Sequence, residues 1–205
     1  MSPSGDIATG RLVVVGLGVT GEAVVCYVSA WAVFDAITVI EDRPGALGYA
    51  TRAALARSLG VEVVETPDRS ELEALVRDAT LVVPSPGVSR SHAVYEIAAG
   101  LNVPVLAEIE LAGAAAERLD RPIVAVTGTN GKTTVTTLIT EMLTASGIRA
   151  IAAGNIGRPL IDAVHDDVDV VVAEVSSFQL AYTEAFRPRV GVLVNIAPDH
   201  QDWHS

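Results

Sequence analysis

The sequence predicts an α/β protein built on parallel sheets. Two observations carry that expectation: short Val-rich runs without a polar alternate face recur between helical patterns, and two of the runs end in glycine-rich turns that open a helix. Strands covered on both faces by helices read as continuous apolar runs because neither face meets water. Their alternation with helices is the mark of a doubly wound architecture. With 205 residues, 50% of them hydrophobic, the chain has core enough for one large or two ordinary domains.

The first run, "RLVVV" (11–15), leads into Gly16, Gly18 and Gly21 at the spacing G-x-G-x-x-G and then into a helix expected over 20–33. With Glu41 about twenty positions on, after the run "AITVI" (36–40), the dinucleotide-binding fingerprint is complete. A tight strand-to-helix turn needs such glycines whatever it binds, so the same geometry receives NAD or any other diphosphate, including that of a UDP-sugar. The stretch "CYVSAWAVFD" (26–35) departs from the usual pattern in lacking a glycine where the helix ends. Runs at 61–64 and 80–84, with helices at 69–78 and 90–99, continue the alternation. "SPGV" (85–88) follows one of these runs at its carboxyl end, the edge where ligands bind in an open parallel sheet. "VPVL" (103–106) and a helix at 108–118 close the set, and a boundary near residue 120 divides the chain into 1–119 and 120–205.

The second part opens with "PIVAVTG" (122–128) and a second glycine turn, "AVTGTNGKTT" (125–134), before a helix at 132–146. Gly128, Thr129, Asn130, Gly131, Lys132, Thr133 and Thr134 make the loop of a mononucleotide triphosphate site. Backbone N–H groups face phosphate oxygens in such a loop, the lysine reaches the β- and γ-phosphates, and the hydroxyl after it holds Mg²⁺. The glycine that a standard P-loop carries six positions before the lysine is here Val126. "RAIAAG" (149–154) leads to "GNIG" (154–157), readable as a plain turn or as a binding loop. "VDVVVAEV" (168–175) delivers Glu174 at a strand end, placed either to meet a phosphate-bound metal or to cap, with Ser176, a helix expected over 176–185. "RVGVLVNI" (189–196) brings Asp199 and His200 to the same edge as candidate metal or substrate groups. The second part has about 85 residues and no closing helix, short for a domain, so a truncated chain is expected.

Composition narrows the partners. The formal net charge is −11, from 25 acidic against 14 basic residues, so no basic field attracts nucleic acid or anionic lipid. Phosphate must be held locally, by backbone N–H groups and a few cations. The single cysteine, Cys26, rules out an internal disulfide framework and reads as a small buried apolar residue in a reducing compartment. No uncharged run reaches the roughly 18 residues of a membrane helix, and no signal peptide is evident, so a cytoplasmic protein without membrane or nucleic-acid partners is expected.

In order along nearly the whole chain, "GLGVTG", "SPGV", "AEIEL", "VAVTGTNGKTT", "GNIG", "VSSFQL" and "NIAPDHQDWH" resemble the Mur ligase family of peptidoglycan synthesis, and within it the branch that adds D-glutamate. The resemblance implies a Rossmann-like N-terminal domain that holds the UDP of a sugar nucleotide rather than NAD, followed by a truncated P-loop central domain. Val19 and Thr20 would touch the diphosphate and uracil; Glu41, Asp42 and Arg43 would line the uridine pocket; Ser85, Pro86 and Gly87 would close it. Lys132 would lie on the β/γ-phosphates, Thr133 and Glu174 would bind one Mg²⁺, and His200 would serve a second. Asn155 and Gln179 would position the muramoyl-alanine arm, and Lys132, Glu174 and His200 would be the catalytic set. The implied reaction is ATP-driven amide formation, in which the alanyl carboxylate of UDP-N-acetylmuramoyl-L-alanine attacks the γ-phosphate and the amine of D-glutamate then displaces phosphate from the acyl phosphate. ATP and Mg²⁺ are the implied cofactors, and the full-length form is expected to be a monomer. A carbamylated lysine and a third domain, which the family carries beyond the DH motif, fall outside these 205 residues, so a fragment unable to complete the reaction is expected. Another amide ligase of the same superfamily, a sugar-nucleotide-binding module with a vestigial ATP site, and an NAD oxidoreductase stay open as alternatives.

Overall fold

A computed structural model describes residues 10–198. Asp199 and His200 therefore lie outside the described residues. The chain divides into two compact units, Met1–Glu108 and Ile109–Ser205.

The first unit runs β1 (Arg11–Val15), α1 (Val19–Ala30), β2 (Ala36–Glu41), α2 (Tyr49–Ser58), β3 (Glu62–Glu65), α3 (Arg69–Arg77), β4 (Ala79–Pro84) and α4 (Ala93–Leu101). Its sheet is parallel in the order β3-β2-β1-β4. Leu12, Val13 and Val14 of the central strand β1 are fully buried, which is why "RLVVV" has no polar alternate. Residues 103–106 form no strand but a single parallel bridge between Val82 and Val105. Pro104 contributes its carbonyl, which accepts from the Val82 N–H, but has no N–H of its own to extend a ladder. Helix α2 has no counterpart among the elements expected from sequence: its apolar contribution is confined to Tyr49, Ala53 and Ala56, spaced i, i+4, i+7, and the rest of the helix faces outward. At the end of α1, where the sequence lacks a glycine, Ala32 adopts φ 47° after the cap residue Trp31. An alanine thus occupies the left-handed position that glycine would take without strain.

The second unit holds most of α5 (Glu108–Arg118), then β5 (Ile123–Thr127), α6 (Lys132–Ala145), β6 (Ala150–Gly154), α7 (Leu160–Ala163), β7 (Val170–Glu174), α8 (Ser177–Leu180) and β8 (Val190–Leu193). Its sheet is also parallel, in the order β6-β7-β5-β8. The division falls between Glu108 and Ile109, in the first turn of α5, rather than near residue 120, and Glu110 ties the helix to the second unit. Its buried carboxylate accepts hydrogen bonds from the backbone N–H groups of Glu184, Ala185 and Phe186, at 3.0, 2.6 and 3.2 Å. Gly113, one turn on, packs so near the Phe186 ring that a Cβ there would come within 2.7 Å of it. The helix expected over 176–185 is a single turn: Ala181 and Tyr182 still donate to Ser177 O and Gln179 O, but at 184–186 the backbone donates to Glu110 instead of to itself. Among the described residues, no helix is long and apolar enough to cross a membrane.

Register fixes the carboxyl edge of this second sheet. Glu174, the last residue of β7, pairs with Val126 of β5 on one side and Gly154 of β6 on the other. The turns that follow β5 and β6 are thereby brought to either side of one acid.

Candidate functional site

In the first unit, β1 ends in a turn whose geometry the three glycines set. Gly16 has φ 86°, and its N–H donates to the Ile40 carbonyl at 2.7 Å. Gly18 is the N-cap of α1 and supplies no side-chain cap. The first N–H groups of an α-helix have no intrahelical acceptor, so those of Val19 and Thr20, which are not buried, can donate to an anion at the carboxyl edge of the sheet. Gly21 packs its Cα face against the Gly16 carbonyl. Ser85 completes the turn from β4: its N–H donates to Val15 O at 2.8 Å and its hydroxyl to Gly16 O at 2.7 Å. Ser85 is thus buried in support of the loop, while Pro86 and Gly87 beside it are exposed.

Glu41 behaves differently from the fingerprint's acid. It is buried, its Oε2 accepts from Leu17 N–H at 2.7 Å, and its Oε1 accepts from Arg43 N–H at 2.7 Å. Each oxygen accepts one backbone N–H, so the carboxylate orders the glycine turn and the 41–43 corner, and its buried position leaves it less open to a ribose than the exposed acid of an NAD site. Asp42 and Arg43 are the exposed residues of that corner.

In the second unit, Gly128 (φ 146°) and Gly131 (φ 82°) bend the chain from β5 into α6. The loop is pinned from the other side by Asn195, the first residue of "NIAPDHQDWH", to which the sequence reading assigns no role. Its carbonyl accepts from Thr129 N–H at 3.2 Å, its side-chain oxygen from Asn130 N–H at 3.0 Å, and its amide nitrogen donates to Asn130 O at 2.9 Å. The Thr129 hydroxyl closes a further pair with Ala197. The N–H groups of Thr129 and Asn130 are therefore spent within the loop, and the open donors are those of Lys132, Thr133 and Thr134 at the start of α6, which has no side-chain cap. The Lys132 ammonium turns back to donate to Gly128 O at 2.7 Å and Thr129 O at 3.0 Å.

Glu174 is 3% exposed at the end of β7 and gathers two partners. Thr133 Oγ1 donates to its Oε2 at 2.7 Å, and Asn155 Nδ2 donates to its Oε1 at 2.8 Å. The Asn155 N–H also donates to Glu174 O at 2.8 Å, which ties the turn after β6 to the end of β7. Thr133 and Glu174 present two hard oxygens 2.7 Å apart, close to the roughly 2.9 Å between neighbouring ligands of an octahedral cation with bonds of about 2.0–2.1 Å. The pair fits Mg²⁺ beside a helix N-terminus. Among the described residues, no cluster of three or more His, Cys, Asp and Glu forms an all-protein metal cage. Such a site would need phosphate oxygens to complete it, as sites for this cation commonly do.

Of the residues singled out in sequence, the fold brings Lys132, Thr133, Asn155 and Glu174 to one edge of one sheet. Gln179 is 5% exposed, and its Oε1 accepts from both the N–H and the hydroxyl of Ser176, at 2.9 Å each, in a capping box on α8. The cap of α8 is thus Ser176 with Gln179, and Glu174 is left to the loop.

Comparison with known proteins bears on both units. Residues 126–205 match the Mur ligase middle domain. The chain is 42% identical over 199 residues to the UDP-N-acetylmuramoylalanine--D-glutamate ligase of Desulfatibacillum aliphaticivorans, covering 96% of this chain and 42% of that protein. It is 40% identical over 209 residues to the enzyme of the same name from Mycolicibacterium smegmatis, covering 98% of this chain and 40% of the relative. The chain thus spans about two fifths of the length of the curated relatives it matches. Among solved structures, it is similar to UDP-N-acetylmuramate:L-alanyl-gamma-D-glutamyl-meso-diaminopimelate ligase from Neisseria meningitides, with a TM-score of 0.52 at 19% identity over 96% of this chain and 64% of that one. UDP-N-acetylmuramate-alanine ligase from Thermotoga maritima gives a TM-score of 0.50 at 22% identity over 95% of this chain and 43% of that one. At these identities the structures speak to the fold, which they share.

Proposed function

Since the chain belongs to the Mur ligase family, we propose that it supplies the sugar-nucleotide and ATP-phosphate sites of an ATP-dependent ligase of peptidoglycan synthesis that joins D-glutamate to UDP-N-acetylmuramoyl-L-alanine. The observation that carries this reading is the Thr133–Glu174–Asn155 chain of hydrogen bonds at the uncapped start of α6. The roughly 40% identity to D-glutamate ligases over nearly the whole chain supports the choice of substrates.

In the proposed reaction, an oxygen of the alanyl carboxylate bonds to the γ-phosphorus as the bond from that phosphorus to ADP breaks. The amine of D-glutamate then bonds to the acyl carbon, phosphate leaves with its oxygen, and the nitrogen loses a proton. A carboxylate and a triphosphate repel, so positive charge and fixed dipoles must offset that repulsion in the transition state. The N–H groups of Lys132, Thr133 and Thr134 hold phosphate oxygens, and Lys132 exchanges the Gly128 and Thr129 carbonyls for the β/γ-phosphates. Thr133 and Glu174 would hold Mg²⁺, which neutralises phosphate charge when bound. Asn155 keeps the Glu174 carboxylate turned toward that position, a placement that supporting hydrogen bonds commonly secure for metal-ligating carboxylates. In the first unit, the open N–H groups at the start of α1 take the UDP diphosphate, with the exposed Arg43 on the same edge as a cation.

Calorimetric titration with UDP-N-acetylmuramoyl-L-alanine tests the reading, with NAD and UDP-N-acetylglucosamine as controls. Binding of the muramoyl-alanine nucleotide that weakens on Arg43→Ala is the expected result. Binding of NAD with no response to the sugar nucleotide would overturn it.

A further inference from the structure

The corner after β2 carries two neighbouring acids that the fold uses in opposite ways. Glu41 is buried with both oxygens accepting backbone N–H groups. Asp42 has a side chain 47% exposed, and its Oδ2 lies 2.8 Å from Nε2 of His92. His92 is the N-cap of α4, where its Nδ1 accepts from the Val94 N–H at 3.1 Å. A ring nitrogen that accepts carries no proton, so in the neutral ring the proton sits on Nε2 and is donated to Asp42. The imidazole is only 18% exposed and is held at both ends. Its helix is anchored in turn by Val94, Ile97 and Ala98 in the core of the unit.

The placement of this pair matters. Strands β2 and β4 flank β1 on opposite sides. Asp42 follows β2 and His92 lies in the connection after β4, so their hydrogen bond spans the carboxyl end of β1, from which the glycine turn springs. A lone aspartate in an exposed corner would sample several rotamers; this one is held in a single orientation before any ligand arrives.

We propose that His92 is a positioning residue for nucleotide recognition: it fixes Asp42 so that this carboxylate, rather than Glu41, accepts hydrogen bonds from the uridine's ribose hydroxyls or imide N–H. The proposal rests on the reading of the first unit as a UDP-sugar site. Its energetic content is preorganisation, since a side chain already ordered costs less to immobilise on binding, which corresponds to about a 3- to 10-fold gain in affinity.

The chemistry of the cap provides a variant that separates the two jobs of His92. Asparagine is among the best N-cap residues and can accept from the Val94 N–H, but it is too short to reach Asp42 as well. His92→Asn is therefore expected to keep the unfolding midpoint of the parent within about 2 °C. It should weaken UDP and UDP-N-acetylmuramoyl-L-alanine by the same factor, about 3- to 10-fold, and leave ATP binding at the second unit unchanged. Asp42→Ala should weaken both uridine nucleotides at least as much, and the double variant should be no weaker than Asp42→Ala alone, because His92 acts through Asp42. Unchanged uridine-nucleotide affinity in His92→Asn, or effects of the two substitutions that simply add, would overturn the role of His92. If the unsubstituted chain binds neither UDP nor the sugar nucleotide, the reading of the unit fails and this inference fails with it; the parent titration tells the two failures apart.

Discussion

Replacing Gly21 by alanine sets two physical effects of opposite sign against each other. Within a helix, alanine is favoured over glycine by about 0.5–1 kcal/mol, so helix propensity predicts a more stable protein. The packing of α1 on β1 predicts the reverse. A Cβ on Gly21 would stand 2.1 Å from the Gly16 carbonyl oxygen and 3.1 Å from Ser85 Oγ, where an ordinary close C···O approach is roughly 3.3 Å. Neither neighbour is free to yield. Gly16 O accepts from the Ser85 hydroxyl at 2.7 Å, and the backbone on either side is tied to Ile40 and Val15 by bonds of 2.7 and 2.8 Å. Overpacking of this kind costs about 1–3 kcal/mol and lies at the upper end where backbone must move. After the propensity gain is subtracted, the net loss is about 2 kcal/mol, which for a unit of about 100 residues lowers the unfolding midpoint by roughly 8–16 °C. Thermal and urea unfolding followed by circular dichroism would measure it. Gly18→Ala is the internal control, because a Cβ there meets nothing within 4 Å and φ is −78°. A Gly21→Ala variant as stable as its parent, or a Gly18→Ala loss of the same size, would refute the packing argument.

Glu174→Gln should keep the fold, since a glutamine can still pair with the Thr133 hydroxyl and the Asn155 amide, but Mg²⁺-dependent ATP binding measured by calorimetry should weaken about tenfold or more. Ala32→Gly should raise the midpoint. Relief of the left-handed alanine contributes about 1–2 kcal/mol, the greater freedom of glycine in the unfolded chain removes about 0.4–1, and urea unfolding should report a net gain of about 0.5–1 kcal/mol. Burial, aided by Arg118, holds the His165 pKa below its usual range. The unfolded chain then takes up the proton first, and stability falls as pH drops through about 6.5 toward the lower folded value. His165→Gln should flatten that part of the stability curve, and an unchanged slope would count against the assignment.

Much of the fold is legible in the sequence because its signals are local. β1 can be read to the residue, β7 and β8 to within their flanks, and α6 almost to its end, since burial on both faces writes itself as an unbroken apolar run and a glycine turn marks where strand gives way to helix. Helix α2 is not legible, because its buried face is two alanines and a tyrosine. The bridge at Val105 reads as a strand because an apolar run does not reveal how many partners its backbone will find.

For the site, sequence alone determined the two glycine turns, the cation Lys132, the hydroxyl Thr133 and the strand-end acid Glu174. Tertiary structure decided what those groups do. It tied Glu41 to the N–H of Leu17, Asp42 to His92, Asn195 to the glycine turn after β5 and Glu110 to the backbone at 184–186. Turn chemistry and periodicity are properties of a few consecutive residues, whereas each of these pairings joins segments far apart in the chain. Strand order and register bring those segments together, and the lowest free energy leaves no buried donor or acceptor unmatched where a partner can be reached.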